Sequence, residues 1–428
     1  MSDLPAEVVT DILTRLPVKT LLRFRCVSKP WCALIDSRDF VKFHLKRSIE
    51  TKSNLSLILR YCYLYSVDLE SLDNAVEVDH PLKCDNYETQ VLGSCNGLLC
   101  LSNSEVDIVV WNPSIRKHRK LPLMQIEFPP GLRGSCFSHF VVYGFGHDVV
   151  NDEYKLVRMV QFYGVDLDSF ESEVKVCNLK SNSWRRIPDF PYYLLYKQWN
   201  GMLVSGALHW VVTRKPESDT ANLIAAFDIR TEDYRLVPQP EYSDENFHMN
   251  VGVLGGCLSI FCNYYSVRVD IWVMKEYGVK ESWTNLFSVS QPTVIRSFEY
   301  VGPIAYSKSS EEVLLEQDGE RLLWYNLKNK TVKIVRIRGM PNSFSIDICL
   351  GSLVPPGGDV ISDGKKHPAK EKTKMKKKKS QSGSLSNWKK AERTDIALTL
   401  DGHVENQGWM EGKYNLRCTT FVKRYYRS

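Results

Sequence analysis

Cysteine is the residue type whose spacing first raises a question of chemistry in this chain, because thiolates bind metals and attack electrophiles. The sequence holds 12 cysteines, and two pairs share the spacing C-x4-C: Cys95 with Cys100, and Cys257 with Cys262. Both pairs lie in apolar runs typical of strands, where residues five apart point to opposite faces. Neither pair can hold one metal ion from a straight strand, so we expect small buried side chains with reduced thiols.

Catalytic motifs are the second possible source of chemistry. The nine histidines are scattered, and the sequence contains no HExxH, GxSxG, Walker loop or GxGxxG pattern. We interpret YGFGHD (143–148) as a glycine-bearing turn between strands, and His209 with Trp210 as core residues of an apolar run. We therefore predict no catalytic residue, no metal and no cofactor. An active site hidden in a central channel is the alternative.

Positive charge is concentrated near the C-terminus. The formal net charge is +6, and residues 365–379 hold nine Lys and one Glu, a balance of +8, which leaves −2 for the rest of the chain. A body of that charge lacks the basic footprint of a nucleic-acid-binding fold, so no nucleic-acid partner is expected. Residues 355–428 are predicted to form a Lys-rich, mostly disordered tail, with a nuclear-localisation signal as one alternative role.

The N-terminal segment and the apolar runs bear on localisation. No apolar run approaches the roughly 18 residues that a membrane span needs. The N-terminus carries Asp3, Glu7 and Asp11 where a secretion signal requires basic and then apolar residues. The sequence thus predicts a cytoplasmic or nuclear protein without a membrane span.

Residues 1–47 have the periodicity of helices. Four apolar side chains fall on one helical face over residues 9–16, Pro17 ends that helix, and Ser28 can cap a later one. The pattern predicts three helices of about ten residues each, too few to enclose a core alone. Apolar surface should therefore remain for a partner.

The region that follows repeats one pattern. WNPSIRKHRKLP (111–122), VCNLKSNSWRRIP (176–188) and AFDIRTEDYRLVP (226–238) each pass from a strand through Asn or Asp and a polar turn into a returning strand that ends in Pro. Strict and looser copies together are anchored at Asp68, Asn112, Asn178, Asp228, Val273 and Asn326. A repeat of about 45–50 residues built from four short strands is typical of β-propeller blades.

The predicted fold class is thus α+β multidomain, with three N-terminal helices, an all-β propeller of about six blades and a disordered basic tail. Residues 48–93 are expected to hold a connector and the first blade strands, and residues 94–354 the rest of the propeller. FSIDICLGSLV (344–354) is a strand left over, which we expect to complete the first blade and protect its open edge. A pair of β-sandwiches with similar hairpins is the alternative.

Two parts of the chain resemble one group of plant proteins. Residues 4–40 resemble the F-box of plant F-box proteins, through an opening Leu-Pro, Arg-Leu-Pro at 15–17 and Arg-x-Val-Ser-Lys-x-Trp at 25–31. The part from about residue 94 to 340 is similar to the type 1, kelch-like F-box-associated domain of the same group. The matching stretches there are SCNGLLCL, YGFGHDVVNDEYKLVRMVQF and GALHWVV.

The resemblance implies a non-catalytic substrate-recognition subunit of an SCF (Skp-cullin-F-box) E3 ubiquitin ligase. Its partners would be a Skp-family adaptor, a cullin and a RING protein held through the adaptor, and a target protein. The target would be ubiquitinated and degraded by the proteasome, and plant immune receptors of the nucleotide-binding, leucine-rich-repeat class are the implied targets. The implied adaptor-binding residues are Leu4, Pro5, Ile12, Leu13, Leu16, Pro17, Leu21, Leu22, Val27, Trp31, Leu34 and Ile35.

Two aromatic stretches are candidates for target binding, because Tyr and Trp favour recognition surfaces. They are PYYLLYKQW (191–199) and CNYYS (262–266), with the candidate residues Tyr192, Tyr193, Tyr196, Trp199, Tyr264 and Tyr265. Ordinary strand packing is the alternative for these side chains. For the whole chain, the alternative is a free-standing propeller scaffold or ligand-binding module without a ligase role, in which Leu16 and its neighbours would be core.

Overall fold

The computed structural model of the chain describes residues 5–84, 87–103, 107–129, 137–164, 170–195, 200–216, 222–242, 246–264, 267–291 and 294–357. From residue 358 onward the predicted tail lies outside these described residues, and its disorder stays a prediction. None of the helices among the described residues is long and apolar enough to cross a membrane.

The described N-terminal residues form four helices. They are α1 (Ala6–Thr14), α2 (Val18–Phe24), α3 (Lys29–Asp36) and α4 (Arg38–Glu50). The prediction of three helices is therefore wrong in number, and the helical region extends past the predicted boundary at residue 47. The reason is local: Ser37 caps a fourth helix, its hydroxyl accepting a hydrogen bond from the Phe40 N–H at 3.3 Å.

Within the described part of the chain, the strands form six sheets. The strands of the first three blades are β1 (Leu55–Arg60), β2 (Leu64–Asp68), β3 (Val76–Glu77), β4 (Gln90–Cys95), β5 (Leu98–Ser102), β6 (Ile108–Asn112), β7 (Lys117–Lys120), β8 (Phe137–Asp148), β9 (Glu153–Gly164), β10 (Phe170–Asn178) and β11 (Ser183–Ile187). Those of the last three blades are β12 (Tyr193–Leu194), β13 (Met202–Val204), β14 (Ala207–Thr213), β15 (Leu223–Asp228), β16 (Tyr234–Leu236), β17 (His248–Leu254), β18 (Cys257–Tyr264), β19 (Arg268–Met274), β20 (Trp283–Ser290), β21 (Val301–Tyr306), β22 (Glu312–Gln317), β23 (Arg321–Asn326) and β24 (Val332–Val335).

The first blade is closed by the last strand of the propeller. β25 (Ser345–Leu350) pairs antiparallel with β1, from Leu55 opposite Leu350 to Arg60 opposite Ser345. The sheet order is β25-β1-β2-β3, so the strand left over in the sequence completes blade 1 as predicted, and the six-bladed propeller is confirmed. This closure covers the edge of β1, which would otherwise expose unpaired backbone groups.

The repeat in the sequence reflects a turn capped by Asn or Asp at the end of the third strand in five of the six blades; the third strand of blade 5, β19, ends at Met274 instead. In blade 2, the Asn112 side-chain oxygen accepts a hydrogen bond from the Ser114 N–H at 2.8 Å. Equivalent turns, in which an Asn or Asp oxygen caps the backbone two residues on, occur at Asp68, Asn178, Asp228 and Asn326. The side chain satisfies backbone donors that the tight turn leaves unpaired, which explains why Asn or Asp recurs at this position.

The prolines of the repeat link neighbouring blades. The Trp184 indole donates a hydrogen bond to the Pro122 carbonyl at 2.9 Å, from the outer strand of blade 3 to the end of blade 2. The Tyr234 hydroxyl bonds the Pro188 carbonyl and the Trp283 indole bonds the Pro238 carbonyl in the same way. Each aromatic ring thus buries apolar area while its polar group clamps one blade to the next.

Several predictions for individual strands meet different outcomes. YGFGHD lies inside β8, so its interpretation as a turn is wrong; a Cβ on Gly144 or Gly146 would collide with Leu208 and Ile229 of blade 4. The glycines therefore serve close packing between blades. His209 is buried as predicted, between the Met202 carbonyl at 3.0 Å and the Tyr277 hydroxyl at 2.7 Å, and burial lowers its pKa to about 4.

The propeller has two faces that differ in their connections. The turns between the first and second strands and between the third and fourth strands of a blade lie on one side, which we call the F-box face. The links between the second and third strands and between successive blades lie on the other, the far face. β1 begins and β25 ends on the F-box face, so both the preceding helices and the segment after β25 meet the propeller there.

Candidate functional site

The helices α1 to α4 are built around a small core of their own. Its buried side chains, which we call the F-box core, are Leu13, Val18, Leu21, Ile35, Phe40 and Leu353. Ser28 begins α3 by accepting a hydrogen bond from the Trp31 N–H at 3.3 Å, as the sequence predicts. Short capped helices thus present one apolar stripe each to a shared interior.

This core corrects part of the predicted adaptor-binding set. Leu13, Leu21 and Ile35 are fully buried inside the four-helix unit, so their side chains are not available to a partner. A helical period identifies the apolar face of a helix, but it does not distinguish a face packed on its own domain from one that meets another protein. In this structure, these three side chains therefore hold the four helices together.

The other predicted adaptor-binding residues lie at or near the surface. Those that are half-buried and pack against the F-box core are Leu16, Leu22, Trp31 and Leu34. Those that are exposed are Pro5, Ile12, Pro17 and Val27, and Val27 has 62% of its surface accessible. Leu4 lies outside the described residues.

The exposed side of α2 carries two of the predicted adaptor-binding residues, Pro17 and Val27, together with two basic side chains. Lys19, Arg23 and Val27 follow one another at intervals of four residues, so they lie on one side, and Pro17 stands at the start of the helix. The turn after α2 keeps Val27 in line through a hydrogen bond from its N–H to the Phe24 carbonyl at 3.0 Å. We call Pro17, Lys19, Arg23 and Val27 the α2 edge.

A buried histidine fixes the start of this edge. The His44 ring, fully buried in α4, donates from Nε2 to the Leu16 carbonyl at 3.0 Å, directly before Pro17. Burial lowers the pKa of His44, so the ring is neutral near pH 7 and serves as a hydrogen-bond donor. Sequence reasoning missed this residue, although His44 stands four positions after the buried Phe40 on the core side of α4.

The basic residues of the four helices divide into two groups. Arg25 forms an ion pair with Asp36 at 2.6 Å that ties α2 to α3, and this hydrogen bond raises the pKa of Arg25. Ion pairs within the described residues also engage Arg15, Arg38, Lys42, Lys46 and Arg47. Lys19, Arg23 and Lys29 are exposed and pair with no acidic side chain in the described ranges. Unpaired positive charge therefore lies on the α2 edge, at Lys19 and Arg23, and next to it in the sequence, at Lys29.

α4 attaches the helical unit to the F-box face. Arg38 and Lys42 both pair with Asp152, at 2.6 and 2.7 Å, in the turn between β8 and β9. The hydrogen bond from Lys42 is the largest cause that holds the pKa of Asp152 well below its usual range. Val41 and Leu45 pack on the core between blades 2 and 3. Apolar contact and ion pairs together hold the helices on this face.

The predicted target-binding tyrosines begin and end strands at the far face. Tyr192 and Tyr193 are half-buried at the start of blade 4, where Tyr193 packs against Phe140 and Phe170. Tyr264 is only 6% exposed, and its ring lies 3.8 Å from the Arg268 guanidinium. Tyr264 is therefore a packing residue, which corrects its prediction as a target contact. Tyr196, Trp199 and Tyr265 lie outside the described residues.

The Asn200 side chain of blade 4 forms hydrogen bonds to the innermost strands of blades 2 and 3. Asn200 accepts a hydrogen bond from the Tyr143 N–H of blade 3 and donates to the Val91 carbonyl of blade 2, both at 3.0 Å. It stands between β12 and β13, two short pieces that both pair with β14. The first strand of blade 4 is thus interrupted, and the interruption ties blades 2, 3 and 4 together at the channel.

Comparison with known proteins agrees with this division into helices and propeller. The family model described as F-box domain matches residues 1–43, and the model described as F-box associated beta propeller domain matches residues 55–352. The chain is 43% identical to the F-box protein CPR1 of Arabidopsis thaliana over 83% of this chain and 89% of that protein. It is 31% identical to the Arabidopsis thaliana F-box/kelch-repeat protein At3g23880 over 76% and 88% of the two chains.

The propeller match covers well over half of the chain, and it begins at the first residue of β1 and ends two residues after β25. The F-box match covers α1 to α3 and the first half of α4. With four helices seated on one face of six blades closed by the last strand, the chain belongs to the family of F-box proteins that carry an F-box-associated β-propeller domain.

Proposed function

We propose that this chain is the substrate-recognition subunit of an SCF E3 ubiquitin ligase. The F-box binds a Skp-family adaptor through the α2 edge, and the adaptor brings a cullin and a RING protein. The far face of the propeller holds the target protein. The observation that carries the proposal is the α2 edge itself: Pro17 and Val27 are exposed on an F-box that ion pairs and apolar packing fix to the opposite face.

The chain contributes proximity in this mechanism. A target held on a rigid body has its lysines at high effective concentration near a ubiquitin-charged enzyme, so the receptor itself supplies no nucleophile. Asp152 forms ion pairs with Arg38 and Lys42. Together with the packing of Val41 and Leu45, these pairs restrict rotation of the F-box on the propeller. The distance from adaptor to target is thereby set by the fold.

The first experiment is affinity purification of the full chain from plant cells in which the proteasome is blocked. A Skp-family adaptor and a cullin should co-purify in stoichiometric amounts, and ubiquitin should be added to a target in a reconstituted complex. Failure of the purified adaptor to bind the purified chain would contradict the proposal and favour a free-standing propeller.

The proposed targets are plant immune receptors of the nucleotide-binding, leucine-rich-repeat class. Similarity to an F-box protein named CPR1 over most of both chains motivates this choice. Co-expression with a candidate receptor should lower the abundance of the receptor, and proteasome blockade should restore it. A receptor that binds the chain but keeps its abundance would contradict degradation as the outcome.

The free charge around the α2 edge predicts a salt-dependent association with the adaptor. We expect Lys19→Glu combined with Arg23→Glu to slow association about tenfold at low ionic strength, because charges at an interface rim act on the encounter rate. The difference should shrink in 1 M salt, where the Debye length is about 3 Å. Stopped-flow or biosensor kinetics at several salt concentrations measure this effect.

The matched control reverses two exposed charges elsewhere. Arg296, in the link between β20 and β21, and Arg321, at the start of β23, are exposed on the far face, so Arg296→Glu with Arg321→Glu should leave the association rate unchanged. Equal slowing by both double variants would show a general effect of net charge and would count against a local role of the α2 edge.

A further inference from the structure

The segment directly after the closing strand belongs to the F-box as much as to the propeller. Residues 351–354 follow β25, and Leu353 lies beyond the ranges that the two family models match, 1–43 and 55–352. Leu353 is nevertheless 9% exposed and packs in the F-box core with residues of α1, α2, α3 and α4. The two ends of the folded chain therefore meet in one hydrophobic cluster.

Hydrogen bonds to residues of blade 2 hold this segment in place. The fully buried Asn112 side chain donates to the Ser352 carbonyl at 3.0 Å and to the Val354 carbonyl at 2.8 Å, on either side of Leu353. The Ser352 hydroxyl donates to the Asn96 carbonyl at 2.7 Å. Gly97, at φ +81°, leaves the room that Ser352 occupies, since a Cβ there would collide with it. Blade 2 thus sets the position of Leu353.

Blade 2 also contributes an apolar contact to the same cluster. Ile115, in the turn that Asn112 caps, packs against the F-box core, which includes Leu353. The same asparagine therefore orders the turn that carries Ile115 and the segment that carries Leu353. Four short helices enclose little apolar volume alone, so side chains from outside the helices contribute substantially to their stability.

We propose that residues 351–354 couple closure of the propeller to adaptor binding, with Leu353 as the positioning residue of the α2 edge. The coupling rests on the proposed function, because it concerns the adaptor that the F-box would bind. When β25 is seated in blade 1, Leu353 completes the cluster that also holds Leu21 and Val18 of α2, the helix that presents the edge. A chain whose last strand is not in place lacks that support.

Coupling of this kind has a quantitative form. If the adaptor binds only the packed form of the F-box, then its apparent Kd equals the intrinsic Kd divided by the fraction of packed molecules. Removing Leu353 lowers that fraction. By reciprocity, adaptor binding stabilises the seated arrangement of residues 351–354 and with it the closure of blade 1.

The test compares Leu353→Ala with Leu258→Ala in the full chain. Leu258 is buried in the core between blades 4 and 5, which includes no residue of blade 1 or of the F-box core, so its loss weakens the propeller away from the closing strand. We expect Leu353→Ala to raise the Kd of a purified Skp-family adaptor at least about tenfold, while Leu258→Ala leaves this Kd unchanged in the folded protein.

A second readout does not depend on the adaptor. Amide hydrogen exchange over residues 18–35 should accelerate in Leu353→Ala and stay at the wild-type rate in Leu258→Ala, because only the first variant loosens the F-box core. Wild-type exchange and a wild-type Kd for Leu353→Ala would overturn the coupling. If the wild-type chain binds no adaptor while exchange accelerates in Leu353→Ala, the proposed ligase function and the coupling to adaptor binding fail, and only the support of α2 by Leu353 stands.

Discussion

Val27→Asp combined with Pro17→Ala is expected to abolish capture of a Skp-family adaptor without unfolding the chain. Val27 is 62% exposed and Pro17 is exposed, so the free energy of unfolding should change by no more than about 0.5 kcal/mol. Interfaces concentrate their energy in a few buried anchors, each worth about 2 kcal/mol or more. A carboxylate at position 27 also replaces an apolar anchor with a group that must be desolvated in the interface.

The expected magnitude is a rise in the adaptor Kd of at least about 30-fold, since about 1.4 kcal/mol corresponds to a factor of ten. Isothermal titration calorimetry with the purified adaptor measures it, and the unfolding temperature of each variant establishes that the fold persists. Val267→Asp is the matched control, because Val267 is 59% exposed in the link between β18 and β19 on the far face. It should bind the adaptor like the wild type.

Leu13→Ala separates docking from stability in the same assay. Leu13 lies in the F-box core, so the substitution should lower the free energy of unfolding of the helical unit by about 2–5 kcal/mol and weaken binding only as a consequence. If Val27→Asp with Pro17→Ala keeps a wild-type Kd, the adaptor binds elsewhere or not at all. The α2 edge would then be an ordinary exposed surface.

The propeller could be predicted from sequence because its repeat has local physical causes. An Asn or Asp at the end of the third strand satisfies turn backbone donors, and a Pro ten residues on offers its carbonyl to an aromatic residue of the next blade. Both features require particular residue types at a fixed spacing, so the repeat is recognisable even where the strand sequences differ. The same logic predicted the last strand, since six copies and one strand left over require closure.

The candidate site was predicted less completely because its determinants are not local. Helical spacing identified Leu13, Leu21 and Ile35 as apolar positions, and only the packed structure shows that they face each other and not a partner. Leu353 reaches the same core from more than 300 residues away, a contact that no local pattern encodes. Asp152 forms ion pairs with Arg38 and Lys42. It lies in a turn where the sequence indicates a polar residue but not its contact with the helices.

Glu173→Gln is expected to destabilise the propeller by about 3–5 kcal/mol, the cost of leaving a buried charge without its partner. Glu173 is 1% exposed in β10 and accepts a hydrogen bond from Arg158 at 2.6 Å, with Lys175 at 3.3 Å. Both cations are themselves buried. The amide retains the shape of the carboxylate but not its charge, so the buried Arg158 would lose its anionic partner, while Lys175 would keep the Glu127 carboxylate at 2.6 Å.

This buried group also holds the link from blade 2 to blade 3. Arg158 donates to the Met124 and Gln125 carbonyls at 2.9 and 3.0 Å, and Glu173 accepts from the Glu127 N–H at 2.6 Å. Links between successive blades lie on the far face, so loss of the Glu173 charge should loosen the proposed target-binding side. The adaptor Kd should stay at the wild-type value, since the F-box core is untouched.

Chemical denaturation measures the free energy of unfolding of Glu173→Gln, and two further variants serve as comparisons. Glu50→Gln removes an exposed partner of Lys46 at 3.9 Å and should cost at most about 1 kcal/mol, as surface pairs do. Glu173→Gln with Arg158→Met also removes the stranded cation, so it should be less destabilised than the single variant, because an unpaired buried charge costs more than its absence. Additive losses would instead mean that each side chain contributes through packing alone, and the link would then be held by apolar contacts.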